Sequence, residues 1–171
     1  MMLDQRILIE LEHYINEHLE TIALESATYS HKVSEPEIIL ESISRMEIEE
    51  FIEQKRQPVL REVLFNFIDS KGAADADIYK KALIDRRHFS KIRSNPDYRP
   101  GKNTVIALAL ALELNKKETG KLLSSAGYSL SSSDMSDLVI QFCLERKIYD
   151  IHQVNLALEY FSQKPLGGVM L

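Results

Sequence analysis

The segment TVIALALALEL, residues 104–114, would be apolar on nearly every side as a helix, and this constrains the fold more than any other stretch. Such a helix has to be covered by other elements all round. Elsewhere, Val, Ile and Thr never alternate with polar residues long enough to predict strands. The sequence therefore predicts an all-α protein with residues 104–114 as its central, largely buried helix.

Amphipathic segments on both sides of this helix predict the elements that cover it. A stripe of apolar residues follows Pro58, which fits the first turn of a helix, and Gly72 fits the end of that helix. After the central helix, Asn115 and Glu118 have the spacing of a capping box. Gly127 fits the end of the helix that this box begins.

Charge divides the chain, whose formal net charge is -5, into three parts. Residues 1–56 carry 5 Lys+Arg against 13 Asp+Glu, a net of -8, and we expect an acidic helical N-terminal arm with helices over about 3–25 and 37–56. Residues 57–129 carry 13 against 8, a net of +5, and form the expected helix-turn-helix domain. Residues 130–171 carry 3 against 5 and form a C-terminal two-helix extension, with serines 131–133 capping its first helix and Asp150 beginning its second.

The first predicted helix has an apolar repeat. Leu8, Ile15 and Ile22 recur every seven residues, with Leu11 and His18 between them. The pattern fits a short coiled-coil seam and an amphipathic helix packed on its own chain equally well.

The stretch DIYKKALIDRRHFSKIRSN, residues 77–95, has apolar residues at uneven gaps of four, two, five and three. These residues are Ile78, Ala82, Ile84, Phe89 and Ile92. Two short helices joined by a tight turn explain the gaps, with Ile84 in the turn and the other four facing one core. Asp75 fits the cap of the first helix, and Asp85 fits the cap of the second. The spacing thus predicts a helix-turn-helix.

The second helix of this motif is basic. Residues 80–102 hold eight basic residues and two acids, a net of +6, and Arg86, Arg87, Ser90, Lys91 and Arg93 fall on its outward side. A solvated helix face is the alternative for any such charge run. A major groove admits such a helix, since Arg pairs with guanine edges while Lys and Arg bind phosphates.

These residues carry a family resemblance. The stretch from about Val59 to Gly127 resembles the five-helix DNA-binding domain of lambda-repressor-like proteins, the XRE family, and NTVIALALALELNKKETGKLL resembles their fourth and fifth helices. The run FSKIRSNPDYRPGKNTVIALALALEL, together with LLSSAGY, is also similar to a helical module appended to bacterial proteins, including some with macro domains.

The resemblance implies which residues meet DNA. It makes the second helix of the motif the recognition helix, with Arg86, Arg87, His88 and Lys91 reaching bases or phosphates. It places Arg99, Lys102 and Asn103 against phosphate, from the loop and the start of the next helix.

Two residues depart from the family pattern. The family favours a small residue where the chain has Tyr79, because two helices touch there, and it favours Gly in the turn, where the chain has Leu83. A non-glycine residue forced to positive φ costs roughly 1 kcal/mol. Splayed helices or a rebuilt turn would change how the outer helix meets DNA.

The sequence favours a non-enzymatic DNA-binding protein, a bacterial or phage transcriptional regulator. Proteins of this family usually recognise DNA as homodimers that read two half-sites, so the resemblance implies a homodimer. The N-terminal helices or the C-terminal pair of helices would supply the contact between the two subunits. The alternative is a protein–protein adapter on a scaffold that no longer binds DNA, with the acidic N-terminal helices recruiting the partner. RNA binding would use the same basic patch.

Little in the sequence favours an enzyme or a cofactor. His13 and Glu17 are one helical turn apart, but no third metal ligand accompanies them, so we expect no metal site. The one cysteine, Cys143, lies in an apolar phrase and fits a buried, inert thiol. No signal peptide or membrane-spanning run is evident, which favours a cytoplasmic protein without membrane association.

The opposite charges of the arm and the basic domain generate a first prediction. If residues 1–56 cover the basic face and prevent DNA binding, deleting them should raise the affinity for DNA sharply, because a net charge of -8 is removed. Fluorescence titration of the intact and shortened chains with the same duplex measures this. An unchanged affinity would exclude the autoinhibitory arrangement.

Overall fold

The computed structural model describes residues 44–167, which belong to two units that divide between Arg56 and Gln57. Residues 44–56 contain helix α1, Arg45–Lys55, in which Arg45 pairs with Glu49 one turn on. The predicted helix over 3–25, its seven-residue repeat and the start of the predicted helix over 37–56 lie outside the described residues.

Residues 57–167 contain seven helices. They are α2 (Leu60–Lys71), α3 (Asp75–Lys81), α4 (Arg86–Ser94), α5 (Lys102–Ala111), α6 (Lys116–Ser125), α7 (Met135–Glu145) and α8 (Ile151–Tyr160). No residue from 44 to 167 lies in a strand, which confirms the prediction of an all-α chain over this part. None of these helices is both long and apolar enough to cross a bilayer.

Helix α5 is the centre of this unit, as its all-round apolar sequence predicts. Every residue from Val105 to Ala111 is buried, and none of the seven is more than 5% exposed. Helices α3, α6 and α8 all pack against α5, while α2 packs on α6. The cover on α5 therefore comes both from helices within residues 57–129 and from the C-terminal helix α8.

Helix ends follow local side-chain chemistry, with some corrections to the predicted caps. Asp85 accepts a hydrogen bond from the Arg87 amide, and Asn115 and Glu118 form the predicted capping box. The cap predicted at Asp75 is wrong, because Ala74 is the N-cap and Asp75 is the first helical residue. Pro58 also lies outside its helix, ahead of the cap at Val59.

The C-terminal helices α7 and α8 share the core of the preceding five. Val139, Cys143, Val154 and Leu158 are buried in the same cluster as α5. The serines predicted to cap α7 do not do so; the next residue, Asp134, accepts the capping hydrogen bond from the Asp137 amide.

The turn between α3 and α4 is made without glycine. Leu83 adopts φ 54°, in the left-handed region. Its amide donates to the Lys80 carbonyl at 3.1 Å, and the Ile84 amide donates to the Tyr79 carbonyl at 2.9 Å. These two bonds are those of a Schellman motif, which normally uses Gly at the left-handed position. The side chain of Leu83 is half-buried against the core.

Strain at this turn gives a second prediction. Leu83→Gly and Leu83→Ala lose nearly the same contacts, but only glycine adopts positive φ freely, so we expect Leu83→Gly to be the more stable by about 1 kcal/mol. Urea unfolding followed by circular dichroism measures the difference.

Gly120 is the opposite of Leu83, because here a glycine stands where an ordinary helical residue would fit. It is exposed within α6, and a Cβ there would meet nothing within 4 Å. Gly120→Ala should therefore stabilise the chain by about 0.5–1 kcal/mol.

The prediction for Leu83 has its own contradicting outcome. If Leu83→Ala proves as stable as Leu83→Gly, the turn between α3 and α4 carries no backbone strain.

Candidate nucleic-acid interface

Helix α4 is attached to the core through a few apolar side chains. Phe89 and Ile92 are 3% and 1% exposed. The Phe89 ring lies between Phe65 of α2 and Tyr79 of α3, with centroids 5.9 Å and 5.7 Å away. Tyr79, which departs from the family pattern, therefore packs against Phe89, the side chain that attaches α4 to the core.

The outward face of α4 carries cations and no acid. At about 100° per residue, Arg87, Ser90 and Lys91 lie opposite the buried Phe89 and Ile92. All three are exposed, as is Arg86. Within residues 44–167 neither Arg86 nor Arg87 has an ion-pair partner.

The charge at the start of α4 opposes the usual helix preference. The first turn contains no acidic residue beyond the N-cap Asp85, and it begins with Arg86 and Arg87. Cations there face the positive end of the helix dipole, which destabilises the helix by a few tenths of a kcal/mol each. The same arrangement concentrates positive potential at one exposed helix end, where an anion would be attracted.

One edge of this face is formed around Tyr98. The Tyr98 hydroxyl lies 3.1 Å from His88 Nε2, and the Lys91 ammonium lies 4.3 Å from the centre of the Tyr98 ring. His88 and Lys91 are thus brought together by a half-buried aromatic residue from the loop after α4. From the sequence alone, Tyr98 fits a core or loop residue, and its contacts with His88 and Lys91 are a finding of the structure.

Arg93 lies at the opposite edge and is already paired. Its guanidinium forms an ion pair with Asp75 at the start of α3. Its Cζ lies 4.7 Å from the centre of the Phe65 ring. Because Asp75 partly neutralises Arg93, this cation contributes less to the potential of the outward face than Arg87 or Lys91 does.

Arg99 is held beside the end of α6. Its Cζ lies 4.5 Å from the Tyr128 ring, and its Nη2 donates to the Gly127 carbonyl at 3.4 Å. The Tyr128 hydroxyl in turn donates to the Pro100 carbonyl at 3.1 Å. Arg99 remains exposed, so the stack orients the guanidinium without hiding it.

Lys102, by contrast, is bound within the protein. Its ammonium donates at 2.6 Å to the carboxylate of Asp137, which is 3% exposed and also accepts from the Ser131 amide at 2.7 Å. A phosphate at Lys102 would compete with this buried carboxylate. The neighbouring Asn103 is exposed at the start of α5.

The structure thus groups the candidate residues unequally. Arg87 and Lys91 share the outward side of α4, the exposed Arg86 lies at the same edge as Arg93, and His88 lies at the other edge. Arg99 and Lys102 are each fixed by contacts to other elements.

Among residues 44–167, no group of three or more His, Cys, Asp or Glu side chains could hold a metal ion. Comparisons of the chain with family models, with curated proteins and with solved structures give no match.

The buried ion pair gives a third prediction. Lys102→Met leaves the Asp137 carboxylate buried without its cation, so we expect a loss of about 2–4 kcal/mol in the free energy of unfolding. Thermal and urea unfolding measure it. The double variant Lys102→Met with Asp137→Leu should recover much of the loss, because no charge then remains buried.

The matched control is Lys116→Met. Lys116 pairs with Glu145 at 2.8 Å, but both side chains are more than half exposed. Lys116 lowers the pKa of Glu145 through this hydrogen bond and through its charge. Screening by water makes this pair worth much less than the buried one. Equal losses for the two lysine variants would contradict the role assigned to Asp137.

Proposed function

We propose that the chain is a non-enzymatic DNA-binding protein with a regulatory role, in which α4 enters the major groove. One observation carries the proposal: among residues 44–167, α4 exposes Arg86, Arg87 and Lys91, contains no acid, and packs on the core through Phe89 and Ile92. An exposed α-helix has the width that the major groove of B-DNA admits.

Each cation has a role under this proposal. Arg86 and Arg87, in the first turn, would reach base edges, as the N-terminal residues of a recognition helix do. Lys91, held over Tyr98, and His88 would lie against the phosphates along one edge. Arg99 would contact phosphate from its stack on Tyr128. Arg93, Lys102 and Asn103 complete the proposed set. To bind a phosphate, Arg93 would have to release the Asp75 carboxylate and Lys102 the Asp137 carboxylate.

The net charge of the chain does not oppose this proposal. Affinity for DNA depends on the cations that neutralise individual phosphates and release their counterions. Helix α4 itself contains no acid, and the acids described in contact with it are the N-cap Asp85 and Asp75, which pairs with Arg93 at one edge.

A protein adapter is the second candidate, and an observation on α1 favours it. Met46 and Phe51 are 78% and 62% exposed on this acidic helix. Large apolar side chains left in water are typical of surfaces that bind another protein. The two candidates differ in whether the α4 cations are needed for binding.

The fourth prediction tests DNA binding directly. Arg86→Ala, Arg87→Ala and Lys91→Ala should each weaken binding to a duplex, by about 1–3 kcal/mol where the side chain reads a base. A variant that loses a phosphate contact should also reduce the slope of log affinity against log salt by about 1. Fluorescence anisotropy at several salt concentrations gives both quantities.

The matched control is Lys117→Ala. Lys117 is an exposed lysine of α6, away from α4 in the chain, and should leave both affinity and slope nearly unchanged. If neither the wild-type protein nor the chain lacking residues 1–56 binds DNA at micromolar concentration, or if the binding has no salt dependence, the proposal is wrong. Binding that Lys117→Ala weakens as much as Arg87→Ala does would show diffuse attraction instead of recognition by α4.

A further inference from the structure

The chain reverses direction directly after α8. Ser162 adopts φ 56°, and the Gln163 amide donates to the Leu158 carbonyl at 2.8 Å, which ends the helix and turns the backbone. The next residues, 163–167, are called the strap. Its Leu166 is 3% exposed and belongs to the same apolar core as α5. The strap is therefore packed on the second unit through a buried side chain.

One side chain of α8 holds the strap by its backbone. Asn155 accepts a hydrogen bond from the Leu166 amide at 2.7 Å and donates to the Leu166 carbonyl at 3.1 Å. A carboxamide carries a donor and an acceptor at one end, so it can satisfy both backbone groups of a single residue. Asparagine inside a helix is less favourable than alanine. Asn155 therefore weakens α8 locally, and its two hydrogen bonds stabilise the position of the strap instead.

The end of the strap touches the turn between α3 and α4. A Cβ placed on Gly167, which has φ 83°, would lie 3.4 Å from the Leu83 Cβ and 3.6 Å from the Leu83 carbonyl oxygen. The strap backbone thus runs against the residue that takes positive φ in this turn. Leu83 also lines a cavity of about 280 Å³ with Leu110 and Ile151, so the core leaves it room to move there. The strap is one of the contacts that keep Leu83 in place.

We propose that the strap, held by Asn155, fixes the α3–α4 turn and with it the start of α4. Asp85, the N-cap of α4, is the second residue after Leu83, so a shift of the turn moves the helix end that presents Arg86 and Arg87. Asn155 is then a positioning residue that acts on α4 from another helix. The consequence for DNA recognition rests on the proposed function, whereas the effect on the turn does not.

Amide hydrogen exchange of the full chain, followed by NMR, is the first test. Asn155→Ala removes both bonds to the strap, so the Leu83 and Ile84 amides, which make the hydrogen bonds of the turn, should exchange about tenfold faster. Gly167→Ala places a Cβ on a backbone at φ 83° beside Leu83 and should act in the same direction without altering the core. The matched control, Gln153→Ala, replaces an exposed amide side chain of the same helix and should leave the turn unchanged.

A reference amide separates positioning of the turn from overall stability. The Thr119 amide donates to the Asn115 carbonyl at 2.8 Å in the first turn of α6. If the strap variants speed exchange at Thr119 as much as at Leu83, the strap only stabilises the unit as a whole and the proposal is wrong. It is equally wrong if neither strap variant speeds exchange of the turn amides more than the control does. Circular dichroism confirms that each variant is folded.

DNA then tests the consequence for α4. A duplex that the wild type selects from a random pool is compared with a scrambled duplex of equal length by fluorescence anisotropy. The full-chain double variant Asn155→Ala with Leu166→Ser releases the strap, so its affinity for the selected duplex should fall at least about threefold, because fewer molecules present α4 correctly. Affinity for the scrambled duplex should stay the same, since every phosphate contact remains.

The outcomes with DNA and without it are separable. Unchanged affinity for the selected duplex, or an equal fall on both duplexes, would contradict a positioning role for Asn155 in recognition. If no DNA binding is found but the turn amides respond to the strap variants as expected, the proposed function is rejected. The hold of the strap on the turn would then stand without it.

Discussion

Burial of α5 on all sides is the constraint on which this unit depends. A helix with seven consecutive buried residues has no face to give to water, so α3, α6 and α8 are placed by the need to cover it. The capping box at Asn115 and the cap at Asp150 then fix where two of the covering helices begin. Local polar chemistry sets the ends of the helices, while the apolar surface of α5 sets where they pack.

Helix α4, unlike α5, is buried on one side, and its exposed side is the basis of its proposed role. It gives Phe89 and Ile92 to the core and leaves most of its circumference to solvent. The cations at its start lower its own stability, since the dipole favours acids there. Features that oppose local stability without a gain in packing are typical of functional surfaces.

The sequence predicted the parts of this fold that depend on near neighbours in the chain. The buried α5, the cap at Asp85 and the box at Asn115 all follow from residues within a few positions. The left-handed backbone at Glu113, Lys147 and Ser162 could not be foreseen, because each residue takes positive φ where glycine would normally mark such a turn. The candidate site was predicted only as a set of residues on α4, on the following loop and at the start of α5. The engagement of Lys102 by Asp137, 35 residues away, and the role of Tyr98 depend on packing that no local pattern encodes.

The placement of α8 against α5 has a consequence for how this unit is inherited. Residues 57–129 and the last two helices differ in charge and have the sequence pattern of separable modules, yet their buried residues form a single core. A recombination event that carried residues 57–129 into another gene would leave α5 bare along the side that α8 covers. The segment that gene fusion can transplant intact therefore runs from α2 through α8.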